Sequence, residues 1–399
     1  MLQLGTVTFL QNSYIFVENT PATDRFFIIQ SGKIRCYHET PIPGSSPSML
    51  GPGDFVGVIS CMTGHTQTET VLALTNVSAI MIRRDQFPEL IKQNPGIAMK
   101  IIRAFSRDMR LINDNLTKIT LKKTSIDSPE QLFTIASYYE NIGNSEAAAY
   151  GYYQYLKQCP RGSSVDAAVK RFKALKTHTN PPYLERTNDL MRTYPKGTMI
   201  FSECQTGAEM FIIQEGTVRI VRVVDGAEVT LALLQKGDMF GEMSLLENKP
   251  RSACAIAYEN CKLMTINRAN FDQMVATQAQ LIARLTTTFA DRLWSMYRQL
   301  VNTQMPDLRE KMIDMLALQL EVKRISQARG VAYSTGFTPD EIANLCGIPA
   351  DLTAQAVSLI ERDQNVRIID GRISVPDTGE LIKQARFYRK QNTRRSQQN

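Results

Sequence analysis

The chain carries an internal repeat. Phe27-Ile28-Ile29-Gln30-Ser31-Gly32-Lys33-Ile34-Arg35 recurs 184 positions later as Phe211-Ile212-Ile213-Gln214-Glu215-Gly216-Thr217-Val218-Arg219. At the same offset Gly53-Asp54 returns as Gly237-Asp238, Gly57 as Gly241, Ser60 as Ser244 and Phe105 as Phe289, with no gap. A register held that long constrains the fold more than any composition: the chain must build one domain twice. Within each copy, Ile34 and Cys36, like Val218 and Ile220, alternate with polar neighbours as half-buried strands do. Gly32 and Gly216 fall where a tight turn must join two apolar runs. A helical stretch follows in each copy. Ile101, Phe105, Met109, Ile112 and Leu116 recur every three or four residues, as do Ile282, Leu285, Phe289, Leu293, Met296 and Leu300. Each stripe buries one helix face. The first is read as packing on its own domain; the second fits either such packing or a homodimer seam.

Between the copies, residues 128–176 have a helical composition. Leu132, Ala136, Tyr139, Gly143, Ala148, Tyr152, Tyr155 and Pro160 fall at the spacing of a tetratricopeptide repeat. Small Ala and Gly let two antiparallel helices approach, aromatics fill the gap and Pro stops the second helix. Residues 164–176 add a capping helix. One pair is read as a helical spacer, with a groove for a protein partner as the alternative.

Composition excludes several classes. With 43% apolar and 21% charged residues in 399, the chain is globular and long enough for several domains. No run of 18 apolar residues exists, so no membrane partner is expected. The N-terminus lacks a basic segment followed by a cleavage site, so a cytoplasmic location is expected. Seven cysteines are scattered without a Cys-x-x-Cys, which reads as reduced thiols, and His38, His65 and His178 lie far apart in sequence. No metal or cofactor is therefore expected. The net charge of +7 is concentrated at the end: the last 17 residues hold Lys383, Arg386, Arg389, Lys390, Arg394 and Arg395 and no acid. Such a tail either touches nucleic acid or is a solvated terminus.

Residues 237–253 carry the chemistry. Gly241 permits close backbone approach, and amides after it can face an anion. Arg251 offers a planar fork of donors suited to phosphate. Glu242 is an acceptor suited to a sugar hydroxyl. An anion-seeking and a hydroxyl-seeking group nine residues apart across a turn point to a small sugar phosphate; alternatively the two side chains pair with each other. The string Phe240-Gly-Glu-x-Ser-Leu-Leu-x-x-x-Pro-Arg-Ser-Ala253 resembles the phosphate-binding cassette of cyclic-nucleotide-binding domains. The resemblance implies an eight-stranded jelly roll flanked by helices. It implies that Glu242 accepts the ribose 2′-hydroxyl and that Arg251 pairs with the cyclic phosphate, helped by Ser252 and the amides of Gly241, Met243 and Ser244. It also implies a lid from the helix after the barrel, where Trp294 and Tyr297 lie. Ser252 in place of Thr after the cassette Arg favours cAMP over cGMP.

Copy one departs from the cassette. Val58 stands at the Glu242 position, Gln67 at the Arg251 position and Glu69 at the Ala253 position. A neutral amide and an added carboxylate repel phosphate, so copy one is expected to be a non-binding jelly roll, kept for packing or for a protein partner.

Residues 305–375 resemble a winged helix-turn-helix. Pro306–Val322 has a helical pattern, Thr338 and Glu341 form a capping box, Gly347 makes a turn, Asp351–Arg362 is the next helix and Asp370-Gly371 a hairpin turn. Residues 185–375 together resemble the Crp/Fnr transcription regulators. The recognition-helix run, Pro349-Ala-Asp-Leu-Thr-Ala-Gln-Ala-Val-Ser358, has one acid and no base. Gln355 suits adenine and Thr353 a methyl group or phosphate, while Arg367, Arg372, Arg394 and Arg395 suit phosphates.

The expected fold class is α+β multidomain: a degenerate jelly roll at 1–119, a helical TPR-like connector at 120–184, a nucleotide-binding jelly roll with its long helix at 185–304, a winged helix-turn-helix at 305–382 and a basic tail at 383–399. The expected function is a regulator sensing a cyclic nucleotide, the ligand being cAMP (or cGMP), with DNA as the output partner. The alternative is a non-DNA regulatory or scaffold protein that signals to a protein partner. No nucleophile with a positioned base and no Walker loop is present, so an enzyme is not expected.

Overall fold

The structure, a computed structural model, describes residues 4–38, 47–121, 128–175, 184, 189–224 and 226–398. His178 lies outside the described residues. The chain divides into two units, one of Met1–Asn115 with Met274–Asn399 and one of Leu116–Gln273.

The first unit opens with eight strands: β1 (Gly5–Phe9), β2 (Tyr14–Phe16), β3 (Arg25–Ser31), β4 (Ile34–Tyr37), β5 (Ser48–Leu50), β6 (Phe55–Val56), β7 (Thr70–Ala73) and β8 (Val77–Arg83). They form two antiparallel sheets, ordered β1-β8-β3-β6 and β2-β7-β4-β5. Phe27, Ile29, Ile34, Val71 and Ala79 share one buried cluster, which is what the alternation of the strands requires. A short helix α1 (Val58–Thr63) interrupts the sheets, and α2 (Phe87–Gln93) and α3 (Pro95–Leu121) follow.

The second unit begins with α4 (Gln131–Asn141), α5 (Ser145–Gln158) and α6 (Val165–Leu175). Its strands are β9 (Met191–Tyr194), β10 (Met199–Phe201), β11 (Glu209–Glu215), β12 (Val218–Val224), β13 (Ala227–Leu234), β14 (Met239–Phe240), β15 (Cys254–Ala257) and β16 (Cys261–Asn267), with α7 (Glu242–Glu247) after β14 and α8 (Arg268–Thr277) at the end. The sheet orders are β14-β11-β16-β9 and β10-β15-β12-β13. These repeat the first barrel strand for strand, so the repeat in sequence is a repeat in topology. Gly32 and Gly216 both have positive φ (93° and 85°), and a Cβ on either would overlap a backbone carbonyl, of Asn76 and Asn260 respectively.

The hairpin between the copies packs as its small residues dictate. A Cβ on Gly151 would come within 2.8 Å of the Ala136 Cβ, so α4 and α5 approach as closely as backbones allow. Leu132, Tyr139, Tyr152 and Tyr155 are fully buried, in one cluster with Met199, Val221 and Ile256 of the second barrel. The helices thus share a core with the barrel that follows them.

The long helix after the second barrel, α9 (Ala279–Thr303), belongs to the first unit. All six residues of its stripe are buried, against α1 and α2 of the first barrel and against α10 (Leu308–Val322). Neither packing on its own domain nor a homodimer is needed to cover them. Beyond α10 come β17 (Tyr333–Ser334), α11 (Pro339–Leu345), α12 (Ala350–Glu361), β18 (Arg367–Ile369), β19 (Arg372–Val375) and α13 (Thr378–Gln398), with the three strands in the order β17-β19-β18. The capping box forms as expected: Thr338 accepts from the Glu341 amide at 3.2 Å, and Glu341 accepts from the Thr338 amide at 2.7 Å. Asp370 and Gly371 both have positive φ, as a tight hairpin turn demands.

The expectation of a separate basic tail is corrected. Residues 383–398 continue α13, which packs on α10. Arg389 points inward onto Asp314 and, at 3.2 Å, Glu321. Arg395 pairs with Glu310 at 3.2 Å. Lys383, Arg386, Lys390 and Arg394 remain exposed along the helix. No described helix is long and apolar enough to cross a membrane. All seven cysteines are free, six of them buried.

Candidate functional site

The cassette of the second barrel folds around one glycine. Gly241 adopts a left-handed conformation (φ 78°) and caps α7, a turn that L side chains rarely make. It joins β14 to a helix whose first residues, Glu242, Met243 and Ser244, are all buried. Glu242 is 0% exposed and Arg251 4%. The Arg251 guanidinium donates to the Gly241 carbonyl at 2.6 Å, so the cation and the carboxylate-bearing turn come to one place. Ser244 donates to the same carbonyl at 3.2 Å. The Ser252 hydroxyl lies 3.7 Å from the Met243 sulfur.

Sequence reading missed how Arg251 is held. Its guanidinium lies over the Phe201 ring, 4.1 Å from the centroid, and Phe201, Phe211 and Phe240 form one aromatic cluster. A Cβ on Gly207 would overlap the guanidinium, so only glycine leaves room for it there. Copy one has no glycine between Phe16 and Arg25, and it has Gln67 in place of Arg251. The Arg251 amide donates to the Gln205 carbonyl at 2.8 Å, and the Cys204 amide donates to the Arg251 carbonyl at 2.9 Å. The Gln205 side chain accepts from the Tyr150 hydroxyl of α5 at 2.9 Å and from the Ser202 amide at 3.0 Å. Gln158, also at the end of α5, accepts from the Thr206 amide at 3.0 Å. The helical hairpin therefore braces the loop on which Arg251 leans.

Chemically, this arrangement is a donor fork beside a buried acceptor. The cation now donates to a neutral carbonyl. A phosphate offers a charge-assisted, bidentate partner of roughly twice the strength.

The lid residues are corrected. Trp294 and Tyr297 close the first barrel, because α9 packs there. Trp294 stacks on His65 with ring centroids 3.8 Å apart, and His65 reaches Asp291 at 3.1 Å. Tyr297 lies 5.4 Å from the His38 ring. In the C-terminal part, Gln355, Arg367 and Arg372 are exposed and Thr353 is half-buried, donating to the Pro349 carbonyl. Arg372 is engaged with the Gly336 carbonyl.

Known proteins resemble this chain in both barrels. The profile of the cyclic nucleotide-binding domain matches residues 6–94 and 191–278. The chain is 28% identical over 203 residues to the cyclic AMP receptor protein of Thermus thermophilus, covering 49% of this chain and 88% of that one. It is 24% identical over 278 residues to human cGMP-dependent protein kinase 2, covering 68% of this chain and 27% of the kinase. Among solved structures, a CooA mutant from Carboxydothermus hydrogenoformans aligns at 18% identity over 50% of this chain and 87% of that one, with a TM-score of 0.42. The chain thus carries two cyclic nucleotide-binding domains in tandem and resembles the Crp/Fnr-type transcription regulators.

Proposed function

We propose that the protein senses cAMP with its second barrel and passes the event through α9 to its C-terminal part, a winged helix-turn-helix with a transcriptional output. The observation that carries the ligand is the buried Arg251 beside the Glu242 turn. Glu242 takes the ribose 2′-hydroxyl, Arg251 with Ser252 takes the cyclic phosphate, and the amides of Gly241, Met243 and Ser244 complete the cradle. Ser252, in place of Thr, supports adenine over guanine. The role is regulatory rather than enzymatic. A ligand shifts an equilibrium only through unequal affinity for its two states. Here α9 is the element that differs between them, since it follows α8 directly in the chain and is seated on α1, α2 and α10.

The exposed cations of α13 support nucleic-acid contact as a phosphate-facing stripe. One observation favours a second reading, output to a protein partner. The α12 surface carries no cation and exposes Leu352 (37%), and Ile369 on the β18–β19 hairpin is 55% exposed.

Hydrogen exchange with and without cAMP tests the relay. Protection of α9 amides changes in wild type and stays constant in Arg251→Ala; constant protection in both overturns the relay. Fluorescence anisotropy with mixed-sequence duplex across a salt series tests the output. Lys390→Glu with Arg394→Glu lowers affinity and flattens the salt slope if DNA is the partner. An unchanged isotherm transfers the output to protein.

A further inference from the structure

The first barrel is not filled. A cavity of about 710 Å³ opens inside the first unit, between the degenerate cassette, α3 and Tyr297 with Leu300 of α9. Its chemistry inverts that of the second barrel. Where the second has Arg251, the first has Gln67, which lines the cavity, is only 4% exposed, and has no hydrogen-bond partner for its side-chain nitrogen. Glu69 from the cassette and Asp108 from α3 bring carboxylates to the same wall. Burial pushes the Glu69 carboxyl up, and Asp108 adds to that rise against the opposing pull of His38. Burial likewise pushes Asp108 up to about 6, against the pull of Arg107. Both carboxyls are thus raised chiefly by their burial.

Of the cations nearby, His38 faces Glu69 as well as Glu18, and the others are engaged with other groups or open to solvent. His38 reaches Glu18 at 3.8 Å. Lys100 sits at the mouth, engaged with the Gly53 carbonyl and 3.8 Å from Asp54. Arg35 lies over the Tyr37 ring, and Arg107 is exposed.

We propose that the first barrel binds a small organic cation, an amine or guanidinium compound that also carries a neutral oxygen acceptor. Glu69 and Asp108 supply its counter-charge, and the Gln67 amide donates to its acceptor. Tyr297 and Leu300 close over it, so the occupant and α9 share a wall. This inference is independent of the cAMP reading, since none of these residues belongs to the second barrel.

The test uses the full chain, with argininamide as the probe, followed by calorimetry and by thermal shift against sodium chloride of equal ionic strength. One argininamide binds per chain in wild type and in Arg251→Ala. Affinity falls at least tenfold in Glu69→Gln and in Asp108→Asn, both neutral and nearly isosteric; cAMP binding by the same variants shows that they are folded. Three results would each overturn the proposal: no heat or shift beyond that of the salt; argininamide binding that survives Glu69→Gln with Asp108→Asn; or a second cAMP per chain that is lost when Gln67 is changed to Leu.

Discussion

Gly207 is the position where a single atom controls the second site. The Arg251 guanidinium occupies the space that any side chain there would need, and copy one has neither a glycine in the matching loop nor the arginine. Gly207→Thr pushes the guanidinium off the Phe201 ring. It lowers cAMP affinity at least tenfold, about 1.4 kcal/mol or more, with little change in thermal midpoint because the displaced group is the end of a flexible chain. Competition with a fluorescent cAMP analogue measures it; unchanged affinity would show that Arg251 is not held there. Asp108 gives a second residue-scale expectation. Its folded-state pKa is raised, so its contribution favours the folded state at low pH and is lost as pH rises through about 6. Asp108→Asn therefore raises the melting temperature at about pH 8, where the carboxylate is ionised, and leaves it nearly unchanged at about pH 4. The gain is on the order of 3 kcal/mol. An equal shift at both pH values would place Asp108 in solvent. Glu242, Arg251 and the loss of both in copy one were legible in the sequence, because the repeat aligns one cassette against the other. Phe201 and Gly207 were not: they are distant in sequence from the cassette, and only the close approach of the 201–207 loop to Arg251 gives them a role.

At the scale of elements, the helices account for most of what sequence periodicity left open. A stripe at 3.6-residue spacing states that a face is buried, not what buries it. The α9 stripe is covered by the first barrel and α10, which no local pattern could reveal. The charge of the last residues misled for a similar reason. Composition reads six cations as a solvated tail, whereas the partners of Arg389 lie 68 and 75 positions away, on Glu321 and Asp314. Asp314 is 1% exposed. Burial alone would raise its carboxyl, but Arg389 and Arg298 hold it below the usual carboxylate range. Removing Arg389 leaves that buried carboxylate short of a partner, which costs about 3–5 kcal/mol. Arg389→Ala accordingly melts far below wild type, and deletion of 383–399 does at least as much damage. Truncation is therefore a poor probe of phosphate binding by α13. Thermal denaturation checks this; a wild-type midpoint for Arg389→Ala would mean that α13 is not docked on α10 in solution.

For the whole molecule, the duplication divides labour between two copies of one topology. The second keeps a guanidinium, a buried carboxylate and a brace from the preceding helical hairpin. The first exchanges the guanidinium for an amide and surrounds a cavity with carboxylates. The helix that follows the second barrel in sequence is seated on the first. The most direct test of the central claim is calorimetric titration of the full chain with cAMP and cGMP, on wild type and Arg251→Ala. The account predicts one cAMP per wild-type chain, weaker binding of cGMP, and a loss of roughly 30- to several-thousand-fold in Arg251→Ala, the cost of about 2–5 kcal/mol for removing one partner of a buried charge pair. Equal affinity of the two proteins for cAMP would contradict it.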